Sequence, residues 1–142
     1  MNTEYLHDVM TGQGISNKAT HLIRKIKESG VDFDAIAFRG MSGALISPVV
    51  AARLNKKVIV CRKTTDNSHS SYETEANFSD IKRYIIIDDF METGKTIRVI
   101  LNQVRRANMT KSGRGRSKCV GVFLYLNKQQ RRSINKIPIY SV

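Results

Sequence analysis

The sequence has no tryptophan, only two cysteines and two prolines, and no acidic residue after Glu92. With so few cysteines a disulfide-stapled scaffold has little to stand on. Cys61 and Cys119 both lie in apolar strand-like runs, so they read as reduced core thiols rather than as a disulfide, a metal site or a nucleophile. No apolar run approaches the about 18 residues that would cross a bilayer. The opening Met1-Asn2-Thr3-Glu4 has neither the charged start of a signal peptide nor the character of a transit peptide, and the expectation is a cytoplasmic protein. Internal repeats and low-complexity tracts are absent. At 142 residues the chain is expected to form one domain over 1–142, long enough for a core but not for a large accessory domain.

The missing acidic residues make the charge uneven. Residues 1–92 hold 12 Lys and Arg against 12 Asp and Glu, whereas residues 93–142 hold 12 Lys and Arg against none, so the whole net charge of +12 lies in the last third. A phosphate-rich ligand accounts for part of this excess. A solvated basic surface accounts for the rest more simply than a nucleic-acid footprint, because no aromatic-rich RNA-binding pattern accompanies it. The nucleic-acid footprint remains the second reading.

The densest chemistry lies in Arg83-Tyr84-Ile85-Ile86-Ile87-Asp88-Asp89-Phe90-Met91-Glu92-Thr93-Gly94-Lys95-Thr96-Ile97. A short β-branched and aromatic run ends in two carboxylates. After it, Ile97, Ile100, Leu101 and Val104 recur at helical spacing. The segment therefore predicts a buried strand, a tight loop and a helix start, the place where α/β sheets bind ligands. Thr93 and Thr96 supply hydroxyls, Gly94 allows close backbone approach, and the helix start supplies free N–H groups, which together make a phosphate cradle. Ionised Asp88 and Asp89 only accept hydrogen bonds, so they suit sugar hydroxyls, or a Mg²⁺ held between sugar and phosphate. A ribose phosphate satisfies both halves. Gly94-Lys95-Thr96 also matches the end of a nucleotide-triphosphate P-loop, but the glycine which that pattern needs five positions earlier is replaced by Asp89. The plainer alternative is that the carboxylates only end a strand and Thr93 only caps a helix; the ordered constellation favours a binding site.

Segment Ile85 to Ile97 closely resembles the ribose-phosphate signature of type I phosphoribosyltransferases. These enzymes transfer phosphoribosyl from phosphoribosyl pyrophosphate (PRPP) to a nitrogenous base. Asp34-Ala35-Ile36-Ala37-Phe38-Arg39-Gly40-Met41-Ser42-Gly43, the apolar helix that follows to Leu54, and the strand ending Val60-Cys61-Arg62-Lys63 resemble the pyrophosphate loop of that family and its next unit. The Arg-Gly pair and the Arg-Lys strand end are similar to adenine phosphoribosyltransferases, whereas Lys95 is more like the hypoxanthine-guanine branch. The likeness runs in order over roughly residues 34 to 126. It implies an open, mainly parallel sheet with helices on both faces and a reduced or absent hood.

By that resemblance, Asp88, Asp89, Thr93, Gly94, Lys95 and Thr96 hold the ribose and its 5′-phosphate. Arg39, Gly40, Met41, Ser42, Gly43 and Arg62 or Lys63 hold the pyrophosphate. Mg²⁺ is the implied cofactor, reached by Asp88 and Asp89 through the substrate. Glu92 occupies the position of an acidic residue near the base nitrogen, although a helix-start Glu favoured by the dipole explains it equally well. Lys128 resembles a lysine that contacts the purine carbonyl, so a purine is the preferred acceptor, and a homodimer is implied by family habit. Between the core strands, Thr64 to Asp80 lacks apolar periodicity and is long for a connection. In the resembled family a catalytic loop closes there, and Ser70-Ser71-Tyr72-Glu73 is similar to its elements, which makes Tyr72 and Glu73 catalytic candidates. A surface hairpin is the alternative.

For the remainder, capping residues and spacing predict a helix over 17–29, a strand over 35–38, a helix over 43–54 and a strand over 58–62. A strand over 84–87, a helix over 96–107 and a strand over 119–126 complete the expected order. Alternation of strands with helices argues independently for a parallel sheet.

Overall fold

The computed structural model describes residues 3–63, 73–108, 116–126 and 131–142. A 3₁₀ helix, Thr3–Val9, precedes α1 (Gly12–Ser29), β1 (Ala35–Arg39), α2 (Gly40–Leu54) and β2 (Lys57–Cys61). Then come β3 (Thr74–Glu75), β4 (Arg83–Asp88), α3 (Lys95–Ala107), β5 (Lys118–Leu124), β6 (Ser133–Ile134) and β7 (Ile137–Ser141). The strands form one sheet in the order β3-β2-β1-β4-β5-β7-β6. Its five inner strands run parallel, and the short β3 and β6 pair antiparallel at the two edges.

Alternation along β4 shows why helices lie on both faces. Tyr84 and Ile86 pack with Ile97, Ile100 and Val104 of α3, while Ile85 and Ile87 pack with Leu22 and Ile26 of α1 and Ile46 and Val50 of α2. A strand with both faces covered has no room for polar residues, and Tyr84 through Ile87 are all buried. The Asp34 carboxylate accepts from the backbone N–H groups of Lys82 (2.8 Å) and Arg83 (3.0 Å), tying the start of β1 to the start of β4. The Arg83 bond, then the Lys82 bond, holds that carboxyl below its ordinary value.

Four parts of the chain depart from the sequence reading. The helix expected from Asn17 begins at Gly12, because the Thr11 side chain accepts from the Gly14 N–H and caps it there. Gly14 fits that first turn because a Cβ there would stand 2.0 Å from the Asp8 carbonyl oxygen. The last ten residues, for which the sequence predicts no element, form the β6–β7 hairpin, whose Ile139 and Tyr140 register against Val122 and Phe123 of β5. Tyr140 stacks on Phe123 with ring centroids 4.7 Å apart, which holds β7 against β5. The 3₁₀ helix Thr3–Val9 and the two-residue β3 have no predicted counterpart either, and the other elements match the predicted ones to within a few residues at each end.

Candidate ribose-phosphate and pyrophosphate site

Two strand-to-helix turns meet above the carboxyl ends of β1 and β4, which are neighbours in the sheet. Both turn on a glycine in the left-handed region, Gly40 at φ +80° and Gly94 at φ +83°, a conformation that costs little only without a Cβ. Each glycine brings a helix N-terminus, with its unpaired N–H groups, toward the same space. A cavity of about 430 Å³ lies between them.

Most of the residues proposed from the sequence line this cavity. Arg39, Gly40, Met41, Ser42 and Lys63 form one wall, and Asp88, Asp89, Glu92, Thr93, Gly94, Lys95 and Thr96 form the other. Lys63 reaches the first turn directly, since a Cβ built on Gly40 would lie 3.1 Å from Lys63 Cε and 3.5 Å from its Nζ. Arg39 Nε is buried without a hydrogen-bond partner, an unsatisfied donor at the Gly40 end of the cavity.

Several candidates are placed elsewhere. Between Arg62 and Lys63, it is Lys63 that faces the cavity; the Arg62 guanidinium turns to Glu75 at 2.9 Å, because alternate residues of an extended segment point to opposite sides. Glu73 pairs with Arg106 at 2.9 Å on the outer side of α3 and does not line the cavity. Gly43 lies one turn into α2 under the cavity, where a Cβ would meet Phe38 Cβ at 2.7 Å. It serves the packing of α2 on β1 rather than the cavity wall. Tyr72 and Lys128 lie outside the described residues.

Asp88 and Asp89 are both only 6% exposed. Asp88 Oδ1 accepts from Ser42 Oγ (3.1 Å) and from the Asp89 N–H (3.0 Å), and Asp89 Oδ1 accepts from the Phe90 N–H (2.8 Å). Burial, reinforced by the neighbouring Asp89 carboxylate, pushes the Asp88 carboxyl up to about 7. A ligand bringing hydroxyl donors or a divalent cation would relieve both causes. Among the described residues no group of three or more His, Cys, Asp or Glu gathers to hold a metal. Two carboxylates with the remaining places left to substrate oxygens and water is a donor set suited to Mg²⁺ rather than to zinc.

Three supports of the site had no local signature in the sequence. Leu6 of the 3₁₀ helix reaches the cavity from the N-terminal segment. Tyr125, at the end of β5, donates its hydroxyl to the Ser42 carbonyl at 2.6 Å, and thus holds the first turn from the far side of β4. Ile134 of β6 fills the space where a Cβ on Gly94 would stand, with Cδ1 2.6 Å from that position. An amphipathic period cannot reveal such contacts, since each joins residues distant in the chain.

The family described as PRTase-CE matches residues 4–141. The transcriptional regulator GfcR of Methanocorpusculum labreanum is 26% identical over 132 residues, covering 91% of this chain and 63% of that protein. Adenine phosphoribosyltransferase from Saccharomyces cerevisiae has a similar structure, with a TM-score of 0.66 at 18% identity over 96% of this chain and 82% of that one. Orotate phosphoribosyltransferase from Francisella tularensis gives a TM-score of 0.62 at 21% identity, over 91% of this chain and 59% of that one. The chain thus spans under two-thirds of the length of GfcR and of that orotate enzyme. Likeness at these identities establishes a shared fold, and the family match extends over nearly every residue: the chain belongs to the PRTase-CE family and has the type I phosphoribosyltransferase fold.

Proposed function

We propose that this protein is a Mg²⁺-dependent phosphoribosyltransferase that binds PRPP in the cavity between its two glycine turns and passes the phosphoribosyl group to a nucleobase, with a purine preferred. One observation carries this reading. Cations and backbone N–H groups at Arg39 to Ser42 and Lys63 face, across one cavity, a carboxylate pair and a hydroxyl-rich helix start at Asp88 to Thr96. A ligand with an anionic group at each end and hydroxyls between complements that arrangement.

Phosphoribosyl transfer breaks the anomeric C–O bond, gathering negative charge on the departing pyrophosphate and positive character on the sugar. Arg39, Lys63 and the N–H groups of the first turn stabilise the leaving group, and oriented charge in a water-poor site contributes several kcal/mol to such steps. Asp88 and Asp89 hold the ribose hydroxyls, and the Thr93 to Thr96 turn holds the 5′-phosphate, which fixes the anomeric carbon between acceptor and leaving group. Mg²⁺, when bound, adds charge neutralisation on the pyrophosphate oxygens. Glu92 lines the same cavity and is the candidate for handling a proton at the acceptor base. We further propose a homodimer that works in the cytoplasm.

A second reading is favoured by the basic last third and by the likeness to a protein named as a transcriptional regulator: a PRPP-binding regulator that docks nucleic acid on its α3 face. Lys95, Arg98 and Arg105 lie exposed along that helix, and no acidic partner is seen for them among the described residues. Calorimetry with PRPP and Mg²⁺, beside a turnover screen of adenine, hypoxanthine, guanine, xanthine, orotate and uracil, separates the two. PRPP binding with turnover on one base supports the transferase. PRPP binding without turnover, together with tight sequence-selective nucleic-acid binding near physiological salt, supports the regulator. Absence of PRPP binding overturns both.

A further inference from the structure

Helix α3 begins at the phosphate turn, yet its third turn touches the opposite end of the site. Gln103 lies eight residues beyond Lys95, about 12 Å along the helix axis. It is only 2% exposed. Its Nε2 donates to the Arg62 carbonyl at 2.8 Å and lies 3.5 Å from the Glu73 carbonyl. The Arg62 carbonyl belongs to the peptide bond that enters Lys63, the cation facing Gly40 in the cavity. The same peptide segment is held from its other side, where the Arg62 N–H donates to the Glu73 carbonyl at 2.7 Å. Gln103 therefore joins both chains at the end of β2, immediately before Lys63 leaves the sheet.

Its own Oε1 is buried with no hydrogen-bond partner, so the amide sits here by its donor end alone. Neither an ionised glutamate nor an apolar side chain can replace that end, because a carbonyl needs a hydrogen-bond donor and neither carries one. We propose that Gln103 is a positioning residue for Lys63: through it, one rigid helix sets the distance between the phosphate turn at its N-terminus and the amine at the pyrophosphate end. This rests on the reading of the cavity as a PRPP site. Its consequence is specific. Loss of the Gln103 donor loosens the pyrophosphate end and leaves the phosphate turn intact, so ligands divide by whether they engage Lys63.

The test uses the full chain carrying Gln103→Met, which keeps length and volume but removes the donor, with Gln103→Leu as a second apolar variant if the first folds poorly. Calorimetry in Mg²⁺ compares PRPP and inorganic pyrophosphate with ribose 5-phosphate. Tenfold or greater weakening of PRPP and pyrophosphate, with ribose 5-phosphate within twofold, is the expected result. In a Lys63→Ala background the same substitution should change PRPP affinity by less than twofold, since the group it positions is gone. Uniform weakening of all three ligands, or full additivity with Lys63→Ala, overturns the proposal in favour of a purely structural role. Hydrogen exchange at the Arg62 amide without ligand gives an independent arm: at least tenfold faster exchange in Gln103→Met is expected, and an unchanged rate overturns the proposal. A wild-type chain that binds neither PRPP nor pyrophosphate sinks the parent reading instead, and the exchange arm then decides alone whether Gln103 fixes this backbone.

Discussion

The two turns of the site use the same backbone and opposite side chains. After each of two neighbouring parallel strands the chain passes through positive φ into a helix, at Gly40 directly after β1 and at Gly94 six residues after the end of β4. The first turn carries Arg39 and borrows Lys63, while the second follows a carboxylate pair with hydroxyls. Their surroundings differ as well. Helix α2 packs between β1 and α1 and is apolar over most of its length, whereas α3 has a narrow buried stripe of Ile97, Ile100, Gln103 and Val104 and a basic outer face. The comparison teaches that the same backbone device presents helix N–H groups at both ends, and that side chains give the two ends opposite charge.

Exchanging the glycines tests the shared half of that comparison and should give the largest effects. Gly94→Ala forces a side chain into positive φ and against Ile134 of β6. It should lower stability by about 2–3 kcal/mol, whereas Gly40→Ala meets only the flexible end of Lys63 and should lose about 1–2 kcal/mol. Urea unfolding of both variants decides it. Equal losses would mean that the β6 hairpin does not brace the second turn.

The unshared half rests on the carboxylates. Asp88→Asn with Asp89→Asn should leave the fold intact and weaken PRPP binding by tenfold or more, about 1.4 kcal/mol or greater. Unchanged affinity by calorimetry would remove the sugar from the second turn.

A smaller effect follows from the Asp88 carboxyl, pushed up to about 7 by burial and then by Asp89. Its folded value lies above its unfolded one, so between about pH 4 and pH 7 the native state binds more protons. Ligand-free stability therefore falls as pH rises through that window. Asp88→Asn should flatten that slope and leave the ligand-free protein more stable than wild type at pH 8. Thermal melts across pH 4–8 measure both. A wild-type profile that rises with pH would reverse the assigned shift.

The smallest effect is expected on the basic face. Arg105→Ala with Arg116→Ala and Lys118→Ala should change phosphoribosyl transfer by less than about twofold, since exposed charges outside a site contribute little. Salt-titrated filter binding on the same variant should show only weak, nonselective affinity for RNA and DNA in the wild type, further reduced by the substitutions. Tight selective binding by the wild type would make the second reading the better one.

Legibility in the sequence followed chain distance. The β4–turn–α3 segment was readable as strand, loop and helix because its signals are contiguous: four apolar residues, two carboxylates, a glycine and an amphipathic period. The start of α1 was missed although Thr11 stood in plain view, because a polar, glycine-bearing first turn carries no apolar stripe. The β6–β7 hairpin carries little signal because β6 is only two residues long and Pro138 interrupts the run of β7. Nothing local in the sequence distinguishes Gln103 from the exposed Asn102 beside it.

By itself, then, the sequence determined the order of the core strands and helices up to β5, the parallel sheet and the residue types of each turn, since these depend on residues within a few positions of one another. Tertiary structure alone decided that Lys63 rather than Arg62 faces the cavity and that Glu73 turns outward to Arg106. It also brought Tyr125, Ile134 and Gln103 to brace turns 83, 40 and 41 residues away in the chain. Those outcomes depend on which strand neighbours which and on the side of the sheet each side chain leaves. Hydrogen bonding between strands and burial on both faces set that arrangement only once the whole chain is folded.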